Sequence, residues 1–215
     1  MNIELQIIEE TISNKEIKEL VEKINTKRLQ KISVLPCHIS AFKKNLSNKI
    51  KLSAVIDFPL GILSKEIRKT IAEKSIINGA SSVEIICPSY SIVNKNYTSF
   101  KHEINDIKAM CIEKDAELSY IIEYRTYSYD CIYRICKNLL ENGINNLYLS
   151  TGYRIDDIYD HLIAITMIQK KIPKINIIPN ANIFNKNHKK IIEKSNINKV
   201  RLKSIEAVDL FLDNC

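Results

Sequence analysis

The sequence predicts an α/β protein, a (β/α)8 TIM barrel forming a single compact domain with short loops. Three observations lead there. Eight short runs rich in Ile, Val and Leu recur along the chain. Segments of helical period separate them. No linker, low-complexity stretch or break in pattern divides the 215 residues. Short apolar runs of this kind read as buried parallel strands. Eight β-α units joined by right-handed crossovers close into a barrel. An open doubly wound sheet accommodates eight equal units less readily.

The strands expected, in order, are 2-NIELQII-8, 31-KISVL-35, 50-IKLSAVI-56, 82-SVEIIC-87, 117-ELSYII-122, 145-NNLYLS-150, 174-KINII-178 and 199-KVRL-202. Between the first two, 14-NKEIKELVEKI-24 places Ile17, Leu20, Val21 and Ile24 on one helix face, with Ser13 as N-cap. A shorter helix is expected over 38–46. In 64-SKEIRKTIAEKSIINGA-80, Ser64 is the N-cap, Ile67, Ile71 and Ile76 are expected to face inward, and Asn78-Gly79 ends the helix. Further helices are expected over 99–114, 129–141, 155–170, 185–194 and 204–212.

Composition limits the function classes. The chain is 45% hydrophobic and 27% charged, which suits a folded core. Its net charge of +7 comes from scattered lysines on polar helix faces, not from an Arg-rich or basic-aromatic array. Nucleic acid is therefore not an expected partner. Met1–Glu10 has no basic and apolar leader pattern, and no apolar run is long enough to span a membrane. A cytoplasmic location without membrane contact is the expectation. The six cysteines have no CxxC spacing and the four histidines are isolated, so structural thiols and no metal are expected.

Several motifs carry a family resemblance. Val55-Ile56-Asp57-Phe58-Pro59-Leu60-Gly61 resembles the "V(I/T)xFPxG" signature of the deoxyribose-phosphate aldolases. Asn78-Gly79-Ala80 through Ile86 echoes their "xNGADEIDxV", 120-YIIEY-124 their fifth-strand "VIIET", and Ser150-Thr151-Gly152-Tyr153 the "TSTGF" after the sixth strand. The likeness is strongest from Lys51 to Tyr153 and faint in the last sixty residues. It implies a carbon–carbon lyase of deoxyribonucleotide catabolism that joins acetaldehyde to glyceraldehyde 3-phosphate through a lysine Schiff base, with no cofactor. A lysine amine condenses with a carbonyl once its pKa is lowered.

The same resemblance shows where this chain departs. Counting back from Gly152, the Schiff-base lysine's place holds Tyr148, and tyrosine forms no imine. The place of the second family lysine, which depresses the first lysine's pKa by like-charge repulsion, holds Ile178. The two phosphate-cradling glycines are matched by Ala181 and Asn182, and the small motif after the eighth strand by Arg201-Leu202-Lys203-Ser204. The fourth-strand aspartate aligns with Glu84. The first-strand Asp-x-Thr matches Glu4-Leu5-Gln6 only loosely. Without a lysine neighbour, a buried Glu84 must be paired or neutral. Tyr148 and Arg201 are the candidate partners.

Three readings follow. The first is an aldolase-like barrel without Schiff-base chemistry, acting as a structural or regulatory subunit. The second is an active aldolase with a relocated amine. Lys203, at the mouth of the barrel, is the candidate, and an ordinary exposed lysine the alternative. The third is a module binding a sugar phosphate or other small anion through Arg125, Arg154 and Lys203, which follow the fifth, sixth and eighth strands, with Ser150, Thr151, Gly152 and Ser204 at the same face. Solvated basic residues are the alternative there. Glu123 also matches the family pattern at the end of the fifth strand, and a role in the framework of the site and a catalytic one are equally open. Ser150 and Thr151 lack a histidine partner and are read as the turn, with Gly152 permitting its backbone conformation. Homo-oligomerisation or a protein partner is left open.

Overall fold

A computed structural model describes residues 1–154, 157–180, 182–195 and 197–212. Its eight strands are β1 (Asn2–Ile7), β2 (Lys31–Val34), β3 (Lys51–Ile56), β4 (Ser82–Ile86), β5 (Glu117–Ile121), β6 (Asn146–Tyr148), β7 (Asn176–Ile178) and β8 (Lys199–Leu202). All pair in parallel in the order β7-β6-β5-β4-β3-β2-β1-β8. Arg201 N donates to Pro179 O at 3.0 Å across the remaining seam between β7 and β8, so the sheet curls into a barrel.

The helices wrap it: α1 (Asn14–Asn25), α2 (Ile39–Lys43), α3 (Lys65–Ile77), α4 (Ser89–Val93), α5 (Tyr97–Glu113), α6 (Tyr129–Glu141), α7 (Ile158–Lys171), α8 (Lys186–Lys194) and α9 (Ile205–Leu212). Local chemistry sets their starts. Ser13 and Glu16 form a capping box on α1, and Ser64 caps α3. Gly79 ends α3 at φ +111°, a conformation open to glycine.

Three expectations change. The segment after β2 is a 3-10 turn (Pro36–His38) followed by a short α2, not one helix over 38–46. A helix not anticipated, α4, sits in the β4–α5 connection. In α3 the inward residues are Arg68, Ala72 and Ser75, while Ile67 is 49% exposed and Ile71 and Ile76 are half-buried. The physical reason is Arg68. Its fully buried guanidinium pairs with Glu103 at 3.1 Å and Asp57 at 3.6 Å and donates to Ile86 O, and this sets the rotation of the helix. Residues 155 and 156, expected to open α7, and Ala181 lie outside the described residues.

The core is split by strand parity. Ile3, Leu5, Ile7, Ile32, Val34, Leu52, Ala54, Ile56, Val83 and Ile85 pack in one large cluster with the helices. Val55, Ile86, Ile121, Tyr148 and Ile178, one residue out of phase, form a separate cluster inside the barrel, closed by Phe58. Successive side chains of a strand point to opposite faces, so this alternation separates shell from lumen. The described cysteines are free thiols. No helix among the described residues is long and apolar enough to cross a membrane.

Candidate functional site

The lumen contains charge as well as hydrocarbon. On β1, Glu4 and Gln6 alternate with the shell-facing Ile3, Leu5 and Ile7, and all are buried. On β2, Lys31 and Ser33 alternate with Ile32 and Val34, again all buried. Glu84 on β4, Tyr148 on β6 and Arg201 on β8 complete the set, each with no exposed surface.

These groups form one network. Arg201 Nη2 donates to Glu84 Oε1 at 2.6 Å and to Glu4 Oε2 at 3.2 Å. Lys31 Nζ lies 2.9 Å from Glu84 Oε1 and 3.7 Å from Glu4 Oε2. It also donates to the Tyr148 hydroxyl, which donates in turn to Glu4 Oε2 at 2.7 Å. Ser33 donates to Glu84 at 2.9 Å, and Lys199 reaches Glu4 Oε1 at 3.3 Å. The Arg201 guanidinium stacks 3.4 Å from the centre of the Tyr148 ring, a desolvated cation–π contact.

Burial and charge oppose one another here. Burial pushes the Glu84 carboxyl up, but the Arg201 and Lys31 charges outweigh it and hold the group at about 2. Glu4 is lowered in the same way: burial raises it, and Lys31 and Arg201 bring it below the ordinary range. Burial drives the Tyr148 phenol well above its usual value against the pull of Arg201, and Glu84 and Glu4 add to the rise. Glu84 and Glu4 are therefore carboxylates, Tyr148 is a neutral phenol, and each has a partner.

Above this network the lumen is apolar. Tyr148 sits opposite Ile178 and Ile121 in the strand register. Val55 and Ile86 fill the remaining width, and Phe58 packs edge-on against Tyr153, ring centroids 5.8 Å apart. The turn after β6 is held tightly. Thr151 donates to Glu123 Oε2 from its backbone N at 3.3 Å and from Oγ1 at 2.7 Å, and Gly152 N donates to Ser150 Oγ at 3.0 Å. Gln6 donates to Thr151 O at 3.0 Å, and Asn180 donates to Gln6 Oε1 at 2.8 Å. Gly152 has φ +78°, and a Cβ there would lie 2.5 Å from Gln6 Oε1, so only glycine fits without rearrangement.

The residues singled out in the sequence are distributed as follows. Glu84, Tyr148 and Ile178 meet inside the barrel. Arg201 pairs with Glu84 as anticipated. Tyr148 does not, because its hydroxyl engages Lys31 and Glu4 instead. Ser150, Thr151 and Gly152 form the turn, and Glu123 frames it. Lys203 and Ser204 line a depression of about 310 Å3 with Gln6 and Gly152. Arg154 and Thr151 line another, of about 360 Å3, with Glu123 and Tyr127. Arg125 turns outward and donates to Asp160 at 2.5 Å. The three basic residues expected to ring the mouth thus face different surroundings. Among the described residues, no group of three or more His, Cys, Asp or Glu side chains is placed to hold a metal.

Lys31 is the central residue that the sequence reading missed. Its signal was parity: in 31-KISVL-35, Lys31 and Ser33 share the phase opposite to the apolar Ile32 and Val34. A buried strand with that polar phase needs charged or hydroxyl partners inside the barrel.

Comparison with known proteins agrees with this architecture. No family model matches the chain. The chain is 26% identical over 152 residues to a deoxyribose-phosphate aldolase of Treponema denticola, covering 70% of each sequence. It is 28% identical over 146 residues to that of Clostridioides difficile, covering 68% of this chain and 66% of the other. The curated relatives that the chain resembles are deoxyribose-phosphate aldolases. Among solved structures, the aldolase QR15 superposes with a TM-score of 0.81 at 20% identity, covering 95% of this chain and 90% of that one. A tetrameric deoxyribose phosphate aldolase from Aeropyrum pernix gives a TM-score of 0.80 at 15% identity, covering 98% and 88%. At these identities the structures establish the shared fold.

Proposed function

We propose that this chain is an aldolase-like barrel that has lost Schiff-base chemistry and acts as a structural, regulatory or ligand-binding protein. One observation carries the reading: the lumen beneath the mouth is occupied by the Tyr148–Lys31–Glu84–Arg201–Glu4 network. An imine-forming lysine needs an approach for a carbonyl and a means of giving up its proton. Lys31 is buried and surrounded by the Tyr148 hydroxyl and two carboxylates, which leave no approach for a carbonyl. Tyr148 and Ile178 supply no amine.

The test is borohydride trapping with acetaldehyde, read by intact mass. No adduct is expected on the wild-type chain. An adduct that disappears in Lys203→Ala would instead support an active aldolase using the amine at the mouth, the alternative this reading must exclude.

A second reading concerns retained ligand binding. Lys203, Ser204 and Gly152 share one depression, and a positive charge beside a glycine turn suits a sugar phosphate or other small anion. Thermal shift with pentose phosphates tests it, since a ligand that binds the folded state raises apparent stability. Stabilisation that is lost in Lys203→Ala is the expected result. No shift at millimolar ligand would count against it.

A further inference from the structure

The depression of about 360 Å3 at the barrel mouth has a composition of its own. It lies among the connections that follow β3, β4, β5 and β6. Tyr148, Lys31, Glu84 and Arg201 take no part in its lining, so it is separate from the buried network. Leu60 and Ile62 from the β3–α3 loop, Ile86 at the end of β4 and Val93 of α4 give it apolar walls. Two side chains of opposite charge share these walls: Glu123 after β5 and the exposed Arg154 after β6.

Glu123 is held in place. Its Oε2 accepts from Thr151 N at 3.3 Å and Oγ1 at 2.7 Å, and its backbone carbonyl accepts from Thr126 Oγ1 at 2.7 Å and Thr126 N at 3.0 Å. Its Oε1 is buried and accepts from no donor among the described residues. Glu4, Asp57, Glu84 and Glu103 each pair with a Lys or Arg. Glu123 pairs with no cation among the described residues, and Arg154 with no carboxylate. A sheltered carboxylate without a cation is costly. One cavity therefore presents an unpaired anion and an unpaired cation that do not pair with each other.

We propose that this depression binds an aliphatic α-amino acid. Its ammonium group pairs with Glu123, its carboxylate with Arg154, and its side chain lies against Leu60, Ile62, Ile86 and Val93. Both ionic contacts are charge-assisted hydrogen bonds, and Arg154 can bind a carboxylate through two of them. Other ligand classes fit less well. A phosphate ester sets a second anion beside Glu123. A simple amine adds a like charge to the cavity that holds Arg154. An uncharged apolar molecule strips water from both charges and replaces it with nothing. The volume is at the small end for ligand cavities, as a single amino acid requires. Lys203 and Ser204 line a different depression, so this site is independent of the sugar-phosphate reading.

Equilibrium dialysis with isotope-labelled L-leucine tests the proposal. Saturable binding of one leucine per chain is expected. Isopentylamine lacks the carboxylate and isocaproate lacks the ammonium group, so each should compete about thirtyfold more weakly than leucine or worse. Glu123→Gln and Arg154→Met should each weaken leucine binding, and Lys203→Ala should leave it unchanged. Glu123 also holds the turn after β6, so the melting temperature of Glu123→Gln is measured alongside. Arg154 is exposed, and its substitution decides the matter if Glu123→Gln is destabilised. Absence of saturable binding at millimolar leucine would overturn the proposal. So would an analogue that competes as well as leucine, or binding that survives Arg154→Met unchanged or is lost in Lys203→Ala.

Discussion

Tyr148 joins the two halves of the lumen. Its ring packs with Val55, Ile86, Ile121 and Ile178, and its hydroxyl reaches the ionic network below. Removing the hydroxyl in Tyr148→Phe keeps the packing but leaves Lys31 and Glu4 each short of a buried partner. That should cost about 1–3 kcal/mol. Glu84→Gln removes the carboxylate that both Arg201 and Lys31 contact and leaves two buried cations to share Glu4, which should cost about 3–5 kcal/mol. Chemical denaturation measures both, and losses below about 0.5 kcal/mol, typical of surface sites, would remove the network from the account. The Glu84–Arg201 pair was legible because a lone buried carboxylate demands a cation. The Tyr148–Glu4 bond was not, because the sequence does not give the depth at which a phenol ends.

Helix α3 shows how a buried charge overrides an apolar pattern. The isoleucines at 67, 71 and 76 suggest one inward face, but Arg68 holds that position by tying α5 through Glu103, the β3–α3 loop through Asp57 and the end of β4 through Ile86 O. Arg68→Met should therefore cost about 3 kcal/mol or more, as removal of one partner from a buried ion pair does. Ile67→Ala, at an exposed position, should fall within about 0.5 kcal/mol. Equilibrium unfolding of the two variants would expose a wrong assignment by reversing that order. Sequence periodicity placed the helix and both its ends, through Ser64 and Gly79. Its rotation depended on partners distant in sequence, Asp57 and Glu103, which no local pattern reveals.

Over the whole molecule, the barrel was readable because each strand sends an apolar phase to the helices, and that signal repeats around the sheet. The mouth was less readable. Arg125, Arg154 and Lys203 share a position at strand ends, but loop geometry sends them to separate surroundings. The network also predicts how the fold responds to acid. Glu84 is held at about 2 against an ordinary 4.5, so its contribution is present above 4.5 and lost as pH falls from there towards 2. Glu4, also lowered, acts in the same direction. Glu103, raised by burial against the pull of Arg68, acts oppositely and favours the folded chain at acid pH. For Glu84 alone the acid loss is on the order of 3 kcal/mol. Denaturation midpoints should fall across that window, with a shallower fall in Glu84→Gln. Equal slopes would separate acid sensitivity from this site.

The central claim concerns chemistry, and proton exchange at acetaldehyde tests it most directly. A Schiff base with acetaldehyde tautomerises to an enamine, which exchanges the methyl protons with solvent. Followed by proton NMR in D2O, the wild-type chain should exchange those protons no faster than buffer alone. Protein-dependent exchange that is abolished by Lys203→Ala or Lys31→Met would contradict the account and restore this barrel to the working aldolases.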